Sequence, residues 1–114
     1  MNNIKDWIKH YKEVEYFPVG DGWKPLVNKL AEDITKIDDT IEVTQVKEKF
    51  GGLRFYTGGI NTAYSKKVWT LIDKAEQESF KICEICGTRE NVTTKGGWII
   101  TMCDKCRRKY ENNY

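Results

Sequence analysis

Four cysteines form two close pairs near the end of the 114-residue chain, and no other residues are better suited to chemistry. Cys83 and Cys86 lie three positions apart, as do Cys103 and Cys106, and sixteen residues separate the pairs. Two cysteines at this spacing on a tight turn can both face one ion, so two such turns bring four sulfurs to the corners of a tetrahedron. The pattern predicts a Zn²⁺ site.

The predicted zinc is structural rather than catalytic. A shell closed by four cysteines leaves no position for water or substrate. Gly87 allows the chain after the first pair to turn with positive φ and to aim N–H groups at sulfur, whereas Arg107 follows the second pair, which we expect to be looser. Iron in a rubredoxin-like site stays an alternative, but a thioredoxin-like redox pair would need one such motif rather than two.

No catalytic set can be assembled from the remaining residues. The single histidine, His10, falls off the apolar stripe of its predicted helix and has no second histidine to pair with. The glycine pairs at 51–52 and 58–59 lack the lysine and the strand–loop–helix context of a phosphate-binding loop. The carboxylates are too dispersed to nominate a pair: Asp38, Asp39, Glu42 and Glu48. The sequence predicts a protein that is not an enzyme.

Composition predicts a globular intracellular protein. Hydrophobic residues make up 39% and aromatic residues 12%, which is enough apolar mass to fold. The formal charge of +2 falls to about zero once four thiolates surround Zn²⁺. The first residues contain no apolar run of signal-peptide length, and no stretch approaches the roughly 20 apolar residues of a membrane span. We therefore expect a cytoplasmic protein with reduced cysteines.

Apolar residues at three- and four-residue spacing predict three helices before the cysteines. The first covers residues 3–15, and the second covers 23–37. Asp21 can cap the second helix, Pro25 fits its first turn, and Asp38 follows its end. The third runs from residue 60 to about residue 80, with Asn61 or Thr62 as its cap.

A hairpin is predicted between the second and third helices. Residues 41–50 favour a strand, Gly51 and Gly52 supply a two-residue turn, and residues 53–56 return. In this register Phe50 faces Leu53 and Lys49 faces Arg54. One face is apolar and carries Val46, Phe50, Leu53 and Phe55, with Glu48 as a misfit. The other carries Lys47, Lys49, Arg54 and Tyr56.

The predicted fold class is α+β, with helices packed on a small antiparallel hairpin and a C-terminal Cys₄ zinc ribbon. One ribbon strand lies within residues 89–95, and the other runs from Gly96 to Met102. Residues 1–81 form the helical and hairpin body, and residues 82–114 form the zinc ribbon and a basic tail. No linker is long enough to separate them, so we expect one compact unit.

Several runs resemble a family of small uncharacterised proteins found in bacteriophage and bacterial genomes. They are GDGWKPL at residues 20–26, VKEKFGGLRFY at 46–56, CEICG at 83–87, GW at 97–98 and CDKC at 103–106. The hairpin run is the most specific part, because paired cysteines occur in many unrelated zinc ribbons. The resemblance implies a phage or prophage accessory protein in the cytoplasm of a bacterial host, with antagonism of host defence as its expected context.

Two functions are compatible with these features. In the first, a non-enzymatic binding protein uses the polar hairpin face, with Arg54, Tyr56, Lys49 and Lys47, to bind a host protein or a small anionic ligand. Like charges on that face repel one another unless an acidic neighbour or a ligand lies between them. In the other interpretation, a carboxylate from a helix neutralises Arg54 in an ordinary salt bridge, and no ligand is needed. In the alternative, the ribbon binds nucleic acid weakly through a basic cluster next to Trp98 or Tyr110. The cluster could equally be a solvated tail. Its residues are Lys105, Arg107, Arg108 and Lys109.

Overall fold

The computed structural model describes residues 19–58, 62–96 and 99–112. A 3₁₀ turn at Asp21–Trp23 leads into helix α1 (Lys24–Ile37), which is followed by strands β1 (Glu42–Lys49) and β2 (Gly52–Gly58). A second 3₁₀ turn at Thr62–Tyr64 precedes helix α2 (Ser65–Ser79), strands β3 (Val92–Lys95) and β4 (Ile100–Cys103), and helix α3 (Asp104–Asn112). Each strand pair is an antiparallel two-stranded sheet. The predicted α+β class is confirmed.

Some predicted features fall outside the described residues. They are the helix at 3–15 with His10, the cap residue Asn61, and Trp98. Among the described helices, none is both long enough and apolar enough to cross a membrane.

Helix α1 begins and ends close to the predicted positions. Pro25 lies in its first turn, and Asp38 follows its last residue with an extended backbone. The Asp38 carboxylate accepts hydrogen bonds from the N–H and the hydroxyl of Thr40, at 3.0 and 2.6 Å, which turns the chain toward β1. The predicted cap at Asp21 is wrong, because its side chain forms a 2.7 Å salt bridge with Lys24 instead.

The hairpin turn lies one residue earlier than predicted. Lys49 pairs with Gly52, so the turn residues are Phe50 and Gly51, with φ of 54° and 84°. Phe50 is therefore 67% exposed at the tip instead of facing Leu53. The misfit Glu48 explains the shift, since its carboxylate accepts the Gly51 N–H at 2.7 Å and fixes the turn there.

Helix α2 covers the outer edge of β2. The Leu53 N–H donates to the Ser79 hydroxyl at 2.9 Å, and the Phe55 N–H donates to the Glu76 carboxylate at 3.1 Å. An edge strand with its donors satisfied in this way is closed to further strand pairing. The helix itself begins at Ser65 with Tyr64 in the cap position, so the predicted cap at Thr62 is wrong.

The hydrophobic core lies between the two long helices and the inner face of the hairpin. Its fully buried members come from every one of these elements: Trp23, Val27 and Ile34 from the first helical segment, Val43, Val46 and Leu53 from the hairpin, and Val68 from α2. This core fixes the orientation of the hairpin, so that its second face is turned to solvent.

The ribbon is joined to the body by buried hydrogen bonds. The Trp23 indole N–H donates to the Ile82 carbonyl at 2.8 Å, and the Gly22 N–H donates to the Glu84 carbonyl at 2.8 Å. A side chain at Gly22 would meet the backbone at Cys83 and Gly87, so the two segments are in direct contact there. The metal site is thereby packed against the start of α1.

Candidate metal centre and hairpin face

The sulfur atoms of Cys83, Cys86, Cys103 and Cys106 all lie within 4.8 Å of one another. The Sγ atoms of Cys86 and Cys103 are 3.7 Å apart. An ion with metal–sulfur bonds of about 2.3 Å has tetrahedron edges of roughly 3.8 Å. The four cysteines therefore form a cluster that could hold a tetrahedral metal ion.

The first cysteine pair forms a tight turn after residue 82. The Cys86 N–H donates to the Cys83 sulfur at 3.4 Å, and the Gly87 N–H donates to the Cys83 carbonyl at 2.9 Å. Gly87 has φ of 85°, the left-handed conformation that the sequence predicted for it. Cys83 is buried and Cys86 is exposed, so the cluster reaches the surface on this side.

The second pair is formed by the end of a strand and the start of a helix. Cys103 is the last residue of β4, and Cys106 lies in the first turn of α3. The Cys106 N–H donates to the Cys103 sulfur at 3.4 Å, the same distance as in the first pair. The expectation of a looser second pair is therefore wrong, because a helical turn replaces the missing glycine.

Two thiols of the cluster, those of Cys83 and Cys106, have strongly perturbed pKa values. Burial by itself raises the pKa of Cys83, but backbone N–H groups, those of Cys86 and Cys103 first, bring it down to about 7. Burial and hydrogen bonding with the neighbouring sulfurs raise the pKa of Cys106 to about 12. Without a metal the cluster therefore holds protons that a bound ion must displace, so metal affinity increases with pH.

Arg107 belongs to the ribbon scaffold rather than to a free basic cluster. Its guanidinium donates to the carbonyls of Thr93 at 2.8 Å, Ile100 at 3.0 Å and Lys95 at 3.3 Å. These bonds fasten α3 to the β3–β4 hairpin near its turn, where Lys95 pairs with Ile100. The other three predicted nucleic-acid residues are exposed on α3: Lys105, Arg108 and Lys109.

The predicted binding residues do share one solvent-facing surface of the first hairpin, which we call the hairpin face. Its members are Lys47, Lys49, Arg54 and Tyr56. The register shift changes their neighbours, since Arg54 pairs with Lys47 and not with Lys49. The Lys47 ammonium lies 5.6 Å from the centre of the Tyr56 ring, and the Lys49 ammonium lies 5.7 Å from that of Phe50.

Only part of the positive charge on this face is neutralised. Arg54 and Glu76 approach to 3.8 Å, with 38% and 19% of their side chains exposed, so the anticipated helix carboxylate is present but distant. Among residues 19–58, 62–96 and 99–112, neither Lys47 nor Lys49 forms a salt bridge. The face is therefore cationic, with two lysines beside a loosely paired arginine.

Sequence reasoning missed the residues that fix the hairpin tip against the ribbon. The Thr101 hydroxyl donates to the Gly51 carbonyl at 2.5 Å and also bonds the Thr94 hydroxyl at 2.6 Å. Thr101 is completely buried, although threonine in a short strand would ordinarily be half-exposed. The phenyl ring of Phe80 lies where a side chain on Gly52 would be. No local sequence signal identifies these contacts, because the partners are far apart in the chain.

Comparison with protein-family models, with curated proteins and with solved structures finds no match to this chain. The family resemblance inferred from the sequence motifs therefore stays a prediction.

Proposed function

We propose that this chain is a non-enzymatic zinc-binding protein that presents its hairpin face to an anionic partner. The observation that carries the proposal is the cross-strand pair of like charges, Lys47 opposite Arg54, on a face turned to solvent. Like charges directly opposite one another destabilise a hairpin. A chain that retains them next to an exposed tyrosine is suited to binding negative charge.

A structural role for the zinc is supported by where the cysteines lie. Two of the four, Cys83 and Cys103, are buried, and residues near them bond to the 3₁₀ turn before α1 and to the hairpin turn. A closed shell of four thiolates leaves no position for substrate, so the ion would stabilise the ribbon rather than take part in chemistry. Binding and folding of such sites are coupled.

The partner expected from the sequence is a host protein with an acidic patch or a small anionic ligand. A phage or prophage origin, a bacterial cytoplasm and antagonism of host defence belong to this proposal through the family resemblance alone. This context suggests that the partner is to be sought in the bacterial host. The cationic hairpin face predicts that the partner is negatively charged.

The second candidate is nucleic-acid binding through α3. Lys105, Arg108 and Lys109 are exposed and lie at the three- and four-residue spacing that places side chains on one side of a helix. The loss of Arg107 to the scaffold leaves three cations instead of four. This supports at most a weak contact that salt suppresses, because each neutralised phosphate contributes just under one unit to the salt slope.

Titration of the zinc-loaded, isotope-labelled protein with polyphosphate and with poly-glutamate separates the two candidates by NMR. Binding at the hairpin face shifts the backbone amides of residues 47–56, whereas binding at the tail shifts those of residues 104–109. Arg54→Ala should weaken face binding at least fivefold, with its melting temperature within about four degrees of the parent, because a partly exposed ion pair contributes under about 1 kcal/mol. Lys67→Ala, exposed on α2, is the matched control. Unchanged binding by Arg54→Ala would refute the assignment.

A further inference from the structure

The aromatic residues around the hairpin face add a second chemistry to its charge. We propose that this face binds single-stranded nucleic acid, with bases stacked on exposed rings and phosphates placed on the cations between them. The inference rests on the function proposed above, because it uses the same surface and names the class of anion.

Three exposed rings line this surface. Tyr56 is 42% exposed, Phe80 is 37% exposed, and Phe50 at the turn is 67% exposed. Because Phe80 occupies the space of a Gly52 side chain, its ring lies on the same face as Tyr56, four residues along β2. Four residues of strand span roughly 13 Å, so these two rings can contact separate bases rather than one.

The cations alternate with the rings. Arg54 lies between Gly52 and Tyr56 on β2, and Lys47 lies opposite Arg54 on β1. Lys49 lies opposite Gly52, and its ammonium lies 5.7 Å from the centre of the Phe50 ring. Aromatic platforms combined with lysine and arginine are the means by which sheet surfaces bind single strands without reading every base.

The exposed aromatic rings favour a nucleic acid over an acidic peptide as the partner of this face. A peptide carboxylate needs only the cations, whereas the exposed rings add flat surfaces on which bases can stack. A free nucleotide fits less well than a strand. The cavity of about 360 Å³ beside Tyr56 is bordered by the carboxylates of Asp73 and Glu76, which repel phosphate. The open, extended face matches an extended ligand.

The tip of the face is rigid before any ligand binds. Phe50 has a positive φ, an uncommon conformation for a bulky residue, and it is maintained by the Glu48 and Thr101 bonds to Gly51. Strain of this kind persists where the surrounding structure enforces it and is concentrated at binding sites. A preordered turn loses little backbone conformational entropy when a ligand binds, which favours affinity.

Fluorescence anisotropy with the zinc-loaded protein and a labelled oligothymidylate of about 12 nucleotides, within the site size of single-strand binders, tests the inference. We expect micromolar affinity at low salt and a slope of about −2 against the logarithm of salt concentration, from three phosphate contacts. Tyr56→Ala should lose roughly tenfold in affinity. Tyr64→Ala, an equally exposed tyrosine outside this face, should lose none, and neither should the tail variant Lys105→Gln/Lys109→Gln.

The other outcomes overturn the inference. Equal binding by Tyr56→Ala and the parent would remove the stacking contact, and loss of binding in the tail variant alone would move the site to α3. Polyphosphate that competes as well as the unlabelled oligonucleotide would show that base stacking contributes nothing. Thymidine monophosphate that binds as tightly as the oligonucleotide would show that the site does not require a strand. If polyphosphate or poly-glutamate binds and Arg54→Ala weakens that binding at least fivefold while the oligonucleotide does not bind, the inference fails and the proposed function stands. If no anion binds the face, both fail. Metal content and melting temperature establish that each variant is folded.

Discussion

Replacing Phe50 with two different residues measures the strain in the hairpin turn. Phe50 has φ of 54°, and an L-residue with a side chain in the left-handed region is destabilised by about 1–2 kcal/mol, a penalty that asparagine largely escapes. Phe50→Ala and Phe50→Asn both remove the ring and its contacts, so the difference between them isolates the backbone term. We expect the Asn variant to be more stable than the Ala variant by about 1 kcal/mol.

Thermal unfolding of the zinc-loaded variants detects this difference, which corresponds to about 4 °C in a domain of this size. The same pair at Lys49, which is extended and exposed, is the control and should differ by no more than a few tenths of a kcal/mol. Equal stability of the two Phe50 variants would contradict the observed register. It would return the turn to Gly51 and Gly52, where the sequence alone places it.

Three further predictions concern the scaffold. Cys103→Ser should abolish stoichiometric metal binding and unfold the ribbon, so metal analysis that still finds one ion per chain, or an unchanged melting temperature, would contradict the Cys₄ site. Ser79→Ala should lower the free energy of unfolding, measured in urea, by about 1–3 kcal/mol, because it leaves the buried Leu53 N–H without a partner. A hydrogen bond contributes at least about 0.5 kcal/mol, so a smaller loss would contradict the contact between Ser79 and the edge of β2. Arg107→Gln should lower the melting temperature without changing oligonucleotide affinity, and the reverse pattern would assign Arg107 to binding.

The features that the sequence predicted correctly depend on local patterns. Cysteine spacing identified the metal cluster, because three-residue separation constrains both sulfurs whatever the surrounding fold. The apolar period of α1, with Pro25 in the first turn and Asp38 after the end, placed that helix to within a residue. Alternation in the hairpin assigned Lys47, Arg54 and Tyr56 to one face, since a pleated strand fixes which residues share a side.

The features that the sequence missed depend on contacts between distant segments. Two glycines follow Phe50, and local turn preference alone favours Gly51 and Gly52 over a pair that includes a phenylalanine. The observed turn is stabilised by the local Glu48 bond to Gly51 and by two distant contacts, the Thr101 bond to Gly51 and the ring of Phe80 over Gly52. Arg107 is a similar case. A run of basic residues indicates an exposed cluster, and only the folded structure shows that carbonyls of β3 and β4 accept hydrogen bonds from this side chain.

The same distant contacts connect the metal site to the hairpin turn. Thr101 lies two residues before the ligand Cys103, and its carbonyl accepts the Glu84 N–H, one residue after the ligand Cys83. Its hydroxyl bonds the hairpin turn at Gly51. A metal that fixes Cys83 and Cys103 therefore also fixes Thr101, and through it the turn that presents Phe50. Four-residue strands such as β3 and β4 are marginal alone, so without the ion this bond has no rigid support. A metal in the cysteine cluster would then stiffen the hairpin face, although none of the four cysteines belongs to that face.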